Sequence, residues 1–68
     1  MNFSLQFEQE EDGRWIAEVV EIPGALAYGQ TRDEAVAKVE GLALRVVADL
    51  LEQGEIGPHS VSVSFAAA

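Results

Sequence analysis

The segment Thr31-Arg32-Asp33-Glu34 constrains this chain more than any other. A threonine followed three residues later by glutamate forms a capping box, in which each side chain can satisfy a backbone N–H at a helix start, so a helix is expected to begin at Arg32. Asp33 and Glu34 suit the positive end of the helix dipole, whereas Arg32 opposes it and is expected in solvent. Ala35, Val36, Val39, Leu42, Ala43, Val46, Val47 and Leu50 then recur at helical spacing and make a continuous apolar stripe. Gly54 is a natural C′ residue, and Gly57-Pro58 prevents the helix from resuming. The stripe spans roughly 140°, and Leu44 and Leu51 widen the apolar arc to roughly 200°. A single sheet face does not cover such an arc. Leu44 and Leu51 are therefore candidate oligomer contacts, although isolated exposed leucines are common. Glu34, Lys38, Arg45, Asp49 and Glu52 form the solvated side, with Glu34 and Lys38 at the favourable i,i+4 spacing.

Around the helix the hydrophobic period changes to two. Residues 2 to 8 alternate, with Phe3, Leu5 and Phe7 on one face of a half-buried strand. The acidic stretch Glu8-Gln9-Glu10-Glu11-Asp12-Gly13 ends in a hairpin signal, and a second strand is expected from Arg14 to about Ile22. Two registers fit. A two-residue turn at Asp12-Gly13 pairs Leu5 with Val20 and puts Ile16, Val20 and Ile22 on the first strand's apolar face. A three-residue loop, Glu11-Asp12-Gly13 with Gly13 in a left-handed bulge, brings Trp15, Ala17 and Val19 there instead. In both, strand two carries apolar residues on both faces, so the side away from the helix is not expected to be wholly solvated. Pro23-Gly24 reads as a turn, Ala25 to Gln30 as a short third strand, and His59 to Phe65 as a fourth, with Val61, Val63 and Phe65 on one face. The last three alanines are expected to fray. The order is βββαβ: an α+β domain, 1–68, with an antiparallel-rich sheet covered on one face by one helix.

A 68-residue chain buries a modest share of its surface, and such chains recover stability through disulfides, metals or association. There is no cysteine, and His59 is the only histidine. A disulfide framework and a Cys/His zinc site are thereby excluded, and a homo-oligomer is expected. Twelve acids against four bases give a net charge of −8. Direct nucleic-acid binding, which needs clustered Lys and Arg, is disfavoured, and a basic protein is the natural complement. No apolar run approaches the roughly 20 residues that span a bilayer, and the first residues lack a basic segment followed by an apolar one. A cytoplasmic protein with no membrane partner is expected.

Convergent catalytic groups are not apparent. There is no cysteine nucleophile, glycine-rich phosphate loop or HExxH. His59 follows Pro58 and stands beside Ser60, where an exposed or packing role is the simpler reading than pH sensing or metal binding. A divalent-metal nuclease would need several carboxylates around its ions, but Glu8, Glu10, Glu11 and Asp12 crowd a hairpin tip. Glu18 and Glu21 fall on opposite strand faces by parity. The chain is therefore expected not to be an enzyme and to hold no metal or cofactor. Glu8, Glu10, Glu11, Asp12 and Trp15 are the candidate partner-binding residues; Trp15 is read either as core or as an interface anchor, where tryptophan is enriched.

Glu11-Asp12-Gly13-Arg14-Trp15-Ile16-Ala17-Glu18, then Ile22-Pro23-Gly24, then Gly29-Gln30-Thr31-Arg32-Asp33-Glu34-Ala35 resemble the N-terminal domain of HicB-family antitoxins. That family shows D-G-x-[WY]-[VI]-A-E, an L-P-G turn and G-x-T-x-x-E-A before its helix. The resemblance covers about residues 3 to 53, with Ile22 in place of leucine and Val20 where proline is frequent. It implies a partial ribonuclease H-like sheet and helix without that fold's catalytic acids. It also implies oligomerisation and neutralisation of a small, basic HicA-like messenger-RNA interferase, by covering its active site. Many relatives add a C-terminal DNA-binding domain; none is expected here, nor autoregulation by direct DNA contact. A self-assembling structural or regulatory protein with no toxin is the alternative.

Overall fold

The computed structural model describes residues 1–59 and 61–68. Strand β1 (Asn2–Gln9) turns into β2 (Trp15–Val19), followed by β3 (Leu26–Gly29), helix α1 (Arg32–Glu52) and β4 (Ser64–Ala67). The sheet order is β3-β2-β1-β4. β2 pairs antiparallel with both β1 and β3, and β4 lies parallel to β1. The expected βββαβ layout with one helix on one sheet face is thus the observed one.

The hairpin resolves the two registers. Leu5 pairs with Val19, Phe7 with Ala17 and Gln9 with Trp15, which is the three-residue loop. Gly13, at φ 91°, donates to Glu10 O at 3.0 Å, and Glu10 N–H donates to Arg14 O at 2.7 Å. A left-handed glycine at this position lets the loop close with the twist of the flanking strands. Ala17 and Val19 therefore face the helix, and Ile16 and Glu18 face away.

The second strand is shorter than expected. It ends at Val19 because the chain curls back, with Ile22 N–H donating to Val19 O and Ala25 N–H to Ile22 O, and Gly24 takes φ 83°. This places Ile22 against the core. The Glu21 carboxylate accepts the Ser4 N–H at 2.7 Å, a donor that a continued ladder would have paired with Val20.

Thr31 Oγ1 accepts from Glu34 N–H at 3.1 Å, so the threonine cap forms. The Glu34 carboxylate accepts from Lys38 Nζ at 3.1 Å, and Lys38 first, then the Gln30 backbone, hold its carboxyl below the ordinary range. Arg32 is exposed, as expected, and its guanidinium lies over the Phe7 ring, 5.5 Å from the centroid. At the other end Gly54 has φ 78° and donates to Leu51 O, closing the helix as a C′ glycine does.

The core is made of small side chains. Leu5, Ala17, Val19, Ala25, Ala35, Val39 and Ala43 form one buried cluster, flanked by Phe3, Phe7, Trp15, Ile22 and Phe65. The helix lies close over β2 and β3 and does not extend its main contacts to β4. A Cβ on Gly29 would stand 2.5 Å from Ala35 N, so glycine is what permits the helix to start directly on the sheet.

The fourth strand departs most from expectation. The strand begins at Ser64 rather than His59, and Ala66 and Ala67 belong to it. Asn2 stands opposite Ser64, and ahead of that pair the Met1 amino group donates to Ser62 O while Met1 O accepts from Ser64 N–H. His59 turns through φ 72°, and Ser60 lies outside the described residues. Ala66 and Ala67 pair with Ser4 and Leu5, and Ala68 N–H donates to Leu5 O at 2.8 Å. These backbone bonds, with Phe65 stacked on Phe3 at 5.6 Å, supply the anchor that side-chain composition does not show.

Candidate interaction surface

Alternation along each strand dictates what the uncovered face of the sheet displays. β1 contributes Asn2, Ser4, Gln6 and Glu8; β2 contributes Ile16 and Glu18; β3 contributes Leu26 and Tyr28. Cross-strand pairing arranges these as rows, Glu8 beside Ile16 beside Tyr28, and Gln6 beside Glu18 beside Leu26. The β1 side is polar, with Ser64 Oγ donating to Asn2 Oδ1 at 2.7 Å. The β2–β3 side is apolar and open: Val20 is 48%, Leu26 42% and Tyr28 41% exposed.

Between these two halves runs a shallow groove of about 420 Å³, lined by Gln6, Glu8, Ile16 and Glu18 over the backbone of β1 and β2. Glu8 and Glu18 are diagonal neighbours across the ladder, roughly 7–8 Å apart in such sheets. Ile16 with a carboxylate on either side suits a lysine or arginine side chain, whose stem packs while its head pairs. Arg14, at the hairpin base, lies over the Tyr28 ring at 4.9 Å and holds Asp12 through its Nε at 2.8 Å.

The five expected partner-binding residues do not form one surface. Glu8 lines the groove. Glu10 is half-buried and Glu11 exposed in the hairpin loop. Asp12 is tied down, since the Arg14 N–H and then the Arg14 side chain hold its carboxyl below the usual range. Trp15 is on the helix side, half-buried against the core and next to Thr31, Arg32 and Asp33. Leu44 and Leu51 are 48% and 37% exposed on the solvent side of α1. Glu18, Leu26 and Tyr28 were missed as surface residues; for Leu26 and Tyr28 the signal was the intervening Ala25, Ala27 and Gly29, small residues that mark the face pressed by the helix.

Among the described residues no polar or charged side chain is buried, and no three His, Cys, Asp or Glu side chains gather as metal ligands do. Among them, too, no helix is long and apolar enough to cross a membrane. The class defined by these features is a small α+β domain with one sheet face closed by a helix and the other open, part apolar and part acidic. No family model, curated protein or solved structure gives a significant match to the chain.

Proposed function

We propose that this chain is a HicB-like antitoxin module of a type II toxin–antitoxin system. It acts in the cytoplasm by binding a small basic HicA-like mRNA interferase and covering its active site. The open sheet face carries this reading: exposed Val20, Leu26 and Tyr28 flank a groove with Ile16 between Glu8 and Glu18, on a chain of net charge −8. Apolar area supplies affinity, and the acids select a basic partner and repel RNA. The βββαβ order agrees with the partial ribonuclease H-like layout that the resemblance implies. Neutralisation by occupancy assigns no catalytic residue, metal or cofactor to this chain.

The test is whether an adjacent reading frame encodes a small basic protein and whether that protein co-purifies with this chain, followed by titration calorimetry. Complex formation that weakens with salt is expected, as is a loss of at least about tenfold in affinity for Glu18→Lys, equivalent to about 1.4 kcal/mol. A partner that binds Glu18→Lys and the parent equally, or fails to bind at low salt, counts against the reading. A second reading, self-assembly with no toxin, draws on Leu44 and Leu51, which share one exposed helix face with Ala37 and Ala48. Under it no basic partner binds, and Leu44→Lys lowers the oligomer mass.

A further inference from the structure

Strand β4, four residues long, closes the sheet order on one side, and its free edge carries neither a charged side chain nor a proline. Edge strands are ordinarily blunted by lysine, proline, a bulge or a covering element. From Val61 to Ala68 the chain has no charged residue, no proline and no glycine. The ladder to β1 decides which backbone groups point outward. Ser64 N–H donates to Met1 O at 2.9 Å and Ala68 N–H to Leu5 O at 2.8 Å, so even-numbered residues face β1. By alternation, Val63, Phe65 and Ala67 direct their N–H and C=O groups away from it. The helix packs chiefly over β2 and β3, and Phe65 stays half-buried despite its contact with Phe3.

We propose that β4 pairs antiparallel with β4 of a second copy of this chain across a two-fold axis, joining two sheets into one. The strand is self-complementary in this arrangement. With Phe65 opposite the second copy's Phe65, Val63 meets Ala67 in both directions, and each of these pairs exchanges both of its hydrogen bonds. The two Phe65 rings become neighbours on the helix side and extend the Phe3–Phe65 contact into a shared apolar cluster. Charge selects the occupant. Two copies of a chain with net charge −8 meet here without placing like-charged side chains opposite each other, whereas joining through the groove would set Glu8 and Glu18 against their own kind. A basic partner finds no counter-charge on this edge. At the other edge the Arg14 guanidinium stacks on Tyr28 of β3, keeping a charge beside that strand.

Sedimentation equilibrium over a concentration series, with amide hydrogen exchange by NMR, tests the pairing without any toxin present. The expected mass is about twice the 7.3 kDa of one chain, with the Phe65 and Ala67 amides protected. Ala67→Pro removes one outward donor and leaves the bonds to β1 in place; it is expected to halve the mass with an unchanged far-UV circular dichroism spectrum. Should that variant unfold, exchange in the parent chain decides alone. A monomeric parent, or a dimer whose Phe65 and Ala67 amides exchange as fast as in a free peptide, overturns the proposal.

Discussion

Gly29 and Glu21 show how single residues set the geometry here. Gly29 is where the first turn of α1 meets β3, and a methyl group would press on the backbone nitrogen of Ala35, which has no rotamer by which to yield. Gly29→Ala should therefore destabilise the fold by about 1–3 kcal/mol, seen as a lower urea midpoint; an unchanged midpoint would show that the helix shifts freely on the sheet. Glu21 acts through charge. The Ser4 N–H, first among its contacts, holds its carboxyl below the ordinary glutamate range. The unfolded chain, with the ordinary value of about 4.3, therefore takes up a proton first as pH falls. Stability from this contact is complete above that value and is lost progressively as pH drops through the lower folded value. Asp12 and Glu34 are held low as well, by Arg14 and Lys38 respectively, and add to the same acid sensitivity. Glu21→Gln should flatten, without abolishing, the fall in urea midpoint between pH 7 and pH 3; equal falls in both proteins would remove the contact from the account.

At the scale of elements, legibility in the sequence followed locality. Thr31 and Gly54 bracket the helix as read, because capping is decided within a few residues of chain. The hairpin register could be narrowed to two possibilities but not chosen, since both keep apolar residues on both faces of β2; the bulge at Gly13 decides it. The fourth strand lies later than its alternation suggests, because Ala66 and Ala67 are held to β1 by backbone pairing that carries no sequence pattern. The candidate site was legible in its acidity and in the two-sided character of β2. It was not legible in its location, because Trp15, the residue most suggestive of an interface, faces the helix, and Leu26 and Tyr28 gave place in the core to alanines and a glycine.

The whole molecule is long for its size. Its radius of gyration is 12.9 Å, against about 11 Å for a compact chain of this length, and its extents are 42 × 19 × 17 Å. A helix of 21 residues runs roughly 31 Å, well beyond the span of β2 and β3 on which it rests. Val19 and Val39 are the largest fully buried side chains. A thin interior of this kind leaves apolar area at three places, the sheet face, the β4 edge and the Leu44–Leu51 side of the helix. Association through more than one of them would bury what the single chain cannot.

The separation of Trp15 from Tyr28 by the thickness of the sheet gives the protein two optical channels. The lone indole, set under the start of the helix, should respond in fluorescence when the fold opens. The lone phenol, on the opposite side and in contact with Arg14, should respond when another molecule settles on the groove. Recruitment of a ligand that perturbs the tyrosine signal and leaves the tryptophan signal at its native position would distinguish docking from unfolding in one unlabelled sample; a ligand that shifts tryptophan alone would have entered from the helix side.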